Sequence, residues 1–417
     1  MSKMLILARG DGRAFIGLQG RSILEGLPFP VVVFVDKANV EYFPGVDTEV
    51  VRWRNPDDIS KAAAKRHAEH GIFAVATLDE QMVDLAARLR TELGVGGARP
   101  EEARRFRDKV LMKKLLREAG VRVPEHASCA DRAAVEALLA KHRRLALKPV
   151  DGQGSRDVSF AASPEQLDAW YAKNLPSASF EAEEFIDGVL YHVNAIVRDG
   201  VPLVTASAPY LPGMANIDFA AGTPFVSVML TEGELKERLE ALSTRVVEVL
   251  RLGNGVTHME CFVTAQGEIV FLEIAARPGG GGIVLMMEGQ YGVNYSQALL
   301  LLEGGRGDLI PPIGMRAGQT HGLMGFRQPV AGFVKRAATP DMFSEPWIHH
   351  VRIDLELEKF QAPASHCTDF TGLLIFSSRD TAEFDARRTA LFERYHAALE
   401  IKPLQASPPP NPKGPNP

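Results

Sequence analysis

The sequence predicts an α/β protein, and three observations carry that prediction. Residues 4–8 (MLILA), 31–35 (VVVFV) and 72–76 (IFAVA) are short runs apolar on both faces, as buried parallel strands are. Helix-length segments lie between them, giving the alternation of an open α/β unit over residues 1–95. The composition is 46% hydrophobic, 24% charged and 7% aromatic, which excludes disordered, collagen-like and coiled-coil chains. With 417 residues, two or three folded units are expected.

Charge and cysteine usage narrow the class. Lys and Arg number 47 against 52 Asp and Glu, a net charge of −5, so no net-basic footprint for nucleic acid is expected. No apolar run approaches the ~20 residues that span a bilayer, so no membrane partner is expected. The start, MSKMLILARGDGR, has neither the apolar length nor the small-residue cleavage site of a signal peptide. Cys129, Cys261 and Cys367 are far apart and form no C-x-x-C, which argues against a disulfide framework or a cysteine zinc site and suits a reducing cytoplasm.

The elements follow in order. Gly10-Asp11-Gly12 after the first apolar run lacks the third glycine of a dinucleotide fingerprint (Phe15 stands there) and reads as a strand-to-helix turn. Pro100–Gly120 has an acidic first turn and a basic remainder, matching a helix dipole, with Gly120 and Pro124 as stop signals. RRLALKPVDGQGSRDVSF reads as strand, glycine loop and strand. Ser163-Pro164-Glu165-Gln166 has the pattern of a helix N-cap. A hairpin should turn at Asp199-Gly200. Thr231–Glu234 reads as a capping box before Leu235, Leu239, Leu242, Val246 and Leu250, which recur at helical spacing. VTHMECFVT and EIVFLEIA form a second hairpin around Gln266-Gly267. A helix is expected near 381–398, and the proline-rich tail 405–417 should be disordered.

Four features carry chemistry. Lys109 lies on the basic helix, where a lone lysine is ordinarily a solvated side chain. Lys148 ends a strand pattern beside Gly152-Gln153-Gly154-Ser155, an ammonium next to backbone N–H groups freed by glycines, which suits a polyphosphate. Glu183-Glu184-Phe185-Ile186 follows. Glu260 and Glu273 each interrupt an apolar strand, where an unpaired buried carboxylate is costly. Counted from the turn at 266–267, both lie six residues out and so face each other. Opposed carboxylates repel unless a cation lies between them, and Mg²⁺ with phosphate oxygens fits such a pair. The competing reading is a solvent face with both glutamates outward. Arg277 and Gly279–Gly282 follow directly, a guanidinium and a glycine run suited to an anionic acyl or phosphoryl group.

The order RDK…LKPVDGQGS…EEFIDG…THMECF…FLEIAARPGGG resembles the ATP-grasp superfamily, and within it the ATP-dependent carboxylate–amine ligases of the L-amino-acid-ligase kind. The resemblance is clear over about 100–300. It implies an ATP-grasp fold: an N-terminal open α/β domain (1–95), a central lid-bearing domain (96–185) and a C-terminal α+β domain (186–404). It implies that Lys109 and Lys148 contact nucleotide phosphates, that Gly152, Gln153, Gly154 and Ser155 fold over them, and that Glu183, Glu184, Phe185 and Ile186 receive adenine. Glu260 and Glu273 would be carboxylates for Mg²⁺ (or Mn²⁺ in its place), and Arg277 would steady the transferring phosphoryl group. His258 would face the substrate cleft, against the plain alternative of a structural imidazole.

Two positions depart from that pattern. Ala275 stands where many relatives carry an asparagine metal ligand, which leaves open whether one or two Mg²⁺ bind. Leu190 replaces a ribose-binding glutamate, making His192 the candidate for that contact. The implied activity is ATP-dependent amide formation between a small carboxylic acid or amino acid and an amine, with ADP and phosphate released. The partners would be small molecules, with a homodimer as the base rate. Two alternatives stand beside it: a carboxylase-like or purine-pathway-like enzyme activating bicarbonate or formate, and a nucleotide-binding module without catalysis. Met214, Phe219, Met286, Met287 and Tyr291 fit either an apolar substrate pocket or ordinary core packing.

Overall fold

A computed structural model describes residues 1–150, 157–174, 179–211 and 222–403. The glycine loop 152–155, Met214, Phe219 and the tail 405–417 lie outside the described residues. Among the described residues the strands form five sheets. The first is wholly parallel, in the order β3-β2-β1-β4: β1 (Lys3–Ala8), β2 (Val31–Val35), β3 (Asp47–Val50) and β4 (Ile72–Thr77). Helices α1 (Pro56–His70) and α2 (Val83–Glu92) cover one face, packing Ile59, Ala63, Leu85 and Leu89 on Leu5, Leu7 and Val75. The expected helix between the first two apolar runs is absent. A single 3-10 turn, Gly12–Phe15, follows β1, capped by Asp11, which accepts from Arg13 N–H, and Gly12 packs so closely on Tyr42 that a Cβ would lie 2.4 Å from its ring.

The basic segment divides into α3 (Pro100–Arg104) and α4 (Lys109–Glu118) instead of running as one helix. Asp108 is the cause: its carboxylate accepts from the Val110 and Leu111 N–H groups and starts a new helix with Lys109 in its first turn. The second sheet has the order β5-β8-β6-β7, from β5 (His126–Ser128), β6 (Leu145–Pro149), β7 (Ser159–Ala161) and β8 (Phe180–Glu184), with α5 (Arg132–His142) and α6 (Pro164–Tyr171). Ser163 caps α6 as its sequence indicates, accepting from Gln166 N–H at 3.3 Å.

The third sheet, β10-β9-β12-β13, carries the site: β9 (Gly188–Arg198), β10 (Val201–Pro209), β12 (Gly255–Thr264) and β13 (Ile269–Ala275). Asp199 and Gly200 turn the first hairpin with φ of 53° and 79°. Helix α7 (Glu234–Leu250) lies on one face, where Leu239, Val246 and Leu250 meet Val193, Val197, Met259 and Phe271. The expected capping box at Thr231 does not form. Gly233 is the N-cap with φ 104°, a conformation open to glycine, and no side chain caps the helix. Helices α8 (Ile283–Tyr291) and α9 (Tyr295–Glu303) cover the other face. Met286, Met287 and Tyr291 are buried in that layer as core packing.

Helix α9 also reaches the first sheet. Leu300 packs with Met4, Ile6 and Val33, and Glu303 pairs with Arg90 at 2.9 Å, which seats the parallel sheet against the third. The fourth sheet, β11-β14-β18-β16, comprises β11 (Phe225–Val228), β14 (Thr320–Phe326), β16 (Ile348–Ile353) and β18 (Gly372–Ser378). A small fifth sheet joins β15 (Gly332–Arg336), β17 (Phe360–Gln361) and β19 (Glu400–Pro403), after α10 (Thr381–Ala398). No helix of the described residues is long and apolar enough to cross a membrane.

Candidate functional site

Strand alternation puts Val256, His258, Glu260 and Phe262 on the face of β12 turned toward α8 and α9, while Met259 and Cys261 point to α7. On β9 the same face carries Leu190, His192, Asn194 and Ile196. Polar side chains thus form one stripe inside an otherwise apolar layer. Glu260 and Glu273 are register partners, as the sequence count predicts. The route to that register differs. Near the turn Val263 pairs with Ile269, one residue out of step with the count, and a bulge between Glu260 and Cys261 restores it.

Each carboxylate has its own partner. The buried Tyr210 hydroxyl donates to Glu260 Oε1 at 2.8 Å, and His258 Nε2 lies 3.6 Å from the same oxygen. Lys109 Nζ lies 3.0 Å from Glu273 Oε2. Burial would raise the Glu273 pKa, but Lys109, Lys148 and Arg277 outweigh it and hold the carboxyl at about 2. Burial, and then Glu260, push the Tyr210 phenol well above its ordinary value, so it stays a donor.

Lys148 ends β6 and is buried. Its Nζ lies 2.6 Å from Glu183 Oε2 and 3.8 Å from Glu181 Oε1. Lys113, one turn after Lys109 on α4, pairs with Glu183 and lies 2.9 Å from Glu181. Burial, and then the Lys113 ammonium, push Lys148 well below the usual lysine range, while Glu181 and Glu273 pull back. Of the linker residues, Glu183 is therefore occupied by two lysines. Glu184 accepts from Arg122 at 2.7 Å, and Phe185 stacks under the Arg144 guanidinium at 3.8 Å. Ile186 is buried.

Arg277 leaves the end of β13 and meets the parallel-sheet unit. Its Nη2 and Nε lie 2.7 and 3.0 Å from Glu80 Oε2, while Arg107 takes Glu80 Oε1 at 2.6 Å. A cavity of about 1130 Å³ opens beside it, lined by His258, Glu260, Glu273, Arg277 and Gly280–Gly282, by Gly10, Asp11, Arg13 and Leu78–Glu80, and by Arg352, Asp354 and residues 361–370. The carboxyl ends of the parallel strands β1 and β4 face this space, where open α/β sheets place their ligands.

His192 does not reach the cavity and cannot take the ribose contact expected of it. It is 0% exposed, its Nδ1 meets Asn194 Nδ2 at 2.9 Å, and its Nε2 meets Ser227 Oγ at 2.9 Å. His258 does line the cavity, with Asn194 Oδ1 at 2.8 Å from its Nδ1. Sequence reasoning missed Lys113, Glu181, Glu80, Asn194 and Tyr210. Only the alternation of polar residues in YHVNAIV signals one of them, Asn194.

Residues 106–281 match the family of ATP-grasp domains. Over 267 residues the chain is 26% identical to an L-arginine-specific L-amino acid ligase of Bacillus subtilis, covering 58% of this chain and 62% of that relative's length. In fold it is similar to an L-amino acid ligase from Bacillus licheniformis (TM-score 0.74, 19% identity, 97% of this chain and 99% of that one). It is also similar to a phosphoribosylglycinamide synthetase from Anaerococcus prevotii (TM-score 0.71, 15% identity, 97% and 100% covered). Lys109, Lys148, the 183–186 linker, Glu260, Glu273 and Arg277 all fall inside the segment that matches the ATP-grasp domain family, and the fold is shared with these ligases over nearly the whole length of the chain.

Proposed function

We propose that the chain is an ATP-dependent ligase that joins a carboxylate, from an amino acid or small acid, to an amine through an acyl phosphate, releasing ADP and phosphate. One observation carries the reading: two opposed carboxylates and Arg277 line one cavity, and the buried lysine cluster lies directly behind it, with Lys109 3.0 Å from Glu273. The printed activity of the Bacillus subtilis relative supports the same chemistry.

Among the described residues, no three His, Cys, Asp or Glu side chains converge as a metal site. Glu260 and Glu273 would hold a cation together with oxygens from elsewhere, which suits Mg²⁺, a metal commonly bound by one or two carboxylates, water and phosphate. Mg²⁺ or Mn²⁺ there would neutralise charge on the phosphates. Lys109 now sits at Glu273, a cation standing where a metal would stand. Burial lowers the Lys148 pKa, and an anionic polyphosphate beside it would favour its ammonium form. Arg277, oriented by Glu80, faces the space where phosphoryl oxygens and the acyl group would meet. Keeping water from the activated acid would matter here, because its hydrolysis would waste ATP.

Glu273→Ala should abolish ADP release in the presence of amino acids. Wild-type release by that variant would overturn the carboxylate assignment. Bicarbonate or formate, in place of amino acids, should give no ADP. Ala275, which lacks a metal-ligating side chain, favours one second reading: nucleotide binding without turnover. That reading predicts heat on ATP titration but no phosphate release with any acid offered.

A further inference from the structure

His258 is the cavity end of a buried hydrogen-bond chain whose direction is fixed at the opposite end. The chain runs from the Pro209 carbonyl through Ser227, His192 and Asn194 to His258. All four side chains are buried, and of the four only His258 lines the cavity. Each member constrains the next. A carbonyl oxygen only accepts, so the 2.8 Å contact of Ser227 Oγ with the Pro209 oxygen uses the one hydroxyl hydrogen. The Oγ is left to accept, so His192 Nε2, 2.9 Å away, carries a hydrogen. Hydrogens on both ring nitrogens would make His192 a buried cation, and neither nitrogen has a carboxylate partner among the described residues. His192 Nδ1 therefore accepts, and the Asn194 group 2.9 Å from it is the amide NH₂. The Asn194 oxygen then meets His258 Nδ1 at 2.8 Å and makes that nitrogen a donor. In the neutral ring the lone pair falls to Nε2.

Two further contacts agree with this direction. His258 Nε2 stands 3.6 Å from Glu260 Oε1, beyond hydrogen-bond reach, as two acceptors do. That oxygen takes its hydrogen from the Tyr210 hydroxyl instead, at 2.8 Å. Gly279 backs the joint between the last two members: a Cβ there would lie 2.9 Å from His258 Nδ1 and 3.1 Å from Asn194 Oδ1. The imidazole is thus held by close packing as well as by its hydrogen bond.

We infer that Ser227, His192 and Asn194 are positioning residues that hold His258 with its hydrogen on Nδ1, so that Nε2 meets a ligand in the cavity as a hydrogen-bond acceptor. The hydrogen placement stands whatever ligand enters, whereas its kinetic consequence rests on the amide-ligase reading. The opposite placement would turn an Nε2–H toward Glu260 and take the acceptor away from the cavity wall.

Nitrogen NMR of the full chain at about pH 8, with histidine labelled at its ring nitrogens, reads which nitrogen carries the hydrogen, and H258Q identifies the His258 signals. Wild type should show a hydrogen on Nδ1 and none on Nε2. S227A removes the anchor of the chain without touching His258. The chain is then free to reverse, with His192 Nδ1 donating to the Asn194 oxygen and the amide NH₂ donating to His258 Nδ1. S227A should therefore move the His258 hydrogen to Nε2, and N194L, which removes the acceptor for Nδ1–H, should do the same. In phosphate release S227A should lower kcat/KM about 3–10-fold, the value of one hydrogen bond. A hydrogen on Nε2 of wild-type His258, or the wild-type pattern in either variant, would overturn the assignment. An inverted hydrogen with unchanged kcat/KM would overturn the positioning role. No phosphate release by the wild type with any amino-acid pair would sink the ligase reading and leave the hydrogen placement standing.

Discussion

Lys113→Met should cost about 3–5 kcal/mol, the usual penalty for removing one partner of a buried ion pair. The structure places the substitution at the upper end of what one residue can do. Lys113 is 0% exposed, and its carboxylate partners Glu181 and Glu183 are 2% and 3% exposed at the side chain. Lys109, Lys113 and Lys148 balance Glu181, Glu183 and Glu273 within one cluster, so the variant leaves one buried negative charge without a counter-ion. In the wild type, burial would raise the Glu181 pKa, but Lys113 and Lys148 outweigh it and hold the carboxyl below its ordinary value. That contribution is full at neutral pH and is lost as pH falls through the depressed value. In K113M the lost ammonium lifts the carboxyl above its unfolded value, so the penalty is full at high pH and eases as pH falls through the raised value. The stability gap between the proteins should therefore shrink by about 1 kcal/mol or more between pH 8 and pH 5, one pKa unit being worth about 1.4 kcal/mol. Urea unfolding followed through Trp170, which packs on Phe180 of the same sheet, reads this unit locally once Trp53 and Trp347 are replaced by Phe. K113M/E181M, which removes a cation and an anion together, should recover about half of the loss. A gap below 1 kcal/mol at pH 8, a gap that ignores pH, or a double variant no better than the single one would refute the charge-balance argument.

Two other perturbations follow from contacts outside that cluster. Glu80→Gln weakens the anchor shared by Arg277 and Arg107 and should lower kcat/KM about 10–100-fold in a phosphate-release assay, while leaving the thermal midpoint of the chain nearly unchanged. Gly322→Ala puts a Cβ 2.1 Å from the Phe384 ring and 2.9 Å from the Ser227 carbonyl oxygen, and should destabilise the fourth sheet by about 1–3 kcal/mol in urea unfolding without changing nucleotide affinity.

Much of the fold was legible because periodicity is local. The runs at 4–8, 31–35 and 72–76 became parallel strands, the Leu-rich period after Glu234 became a helix, and the hairpins turn where Asp199-Gly200 and Gln266-Gly267 predict. The errors came from competition between signals. Asp108 caps a helix in the middle of a basic run that looks continuous, and Thr231 loses its capping role to Gly233. At the site, Glu260 and Glu273 stood out because each is a charge in an apolar strand. Lys113 did not, because the adjacent Lys114 and the basic run around it give a buried lysine no mark of its own. Glu80 is invisible for a different reason: its partner Arg277 lies 197 residues away. His192 was misjudged because a sequence does not show that Asn194 and Ser227 have already taken both of its ring nitrogens.

The bulge in the β12–β13 hairpin has a consequence for how this site can change over evolution. Between the turn and the bulge the strands pair one residue out of step with the register that joins Glu260 to Glu273. Leu272 is the residue that the bulge leaves without a partner, so deleting it would straighten the hairpin and keep Glu260 opposite Glu273. The pairing of the carboxylates thus has one residue of length to spare on β13. Many substitutions between 261 and 272 can be absorbed by the apolar layers, and a deletion at the bulge would leave the two carboxylates facing each other.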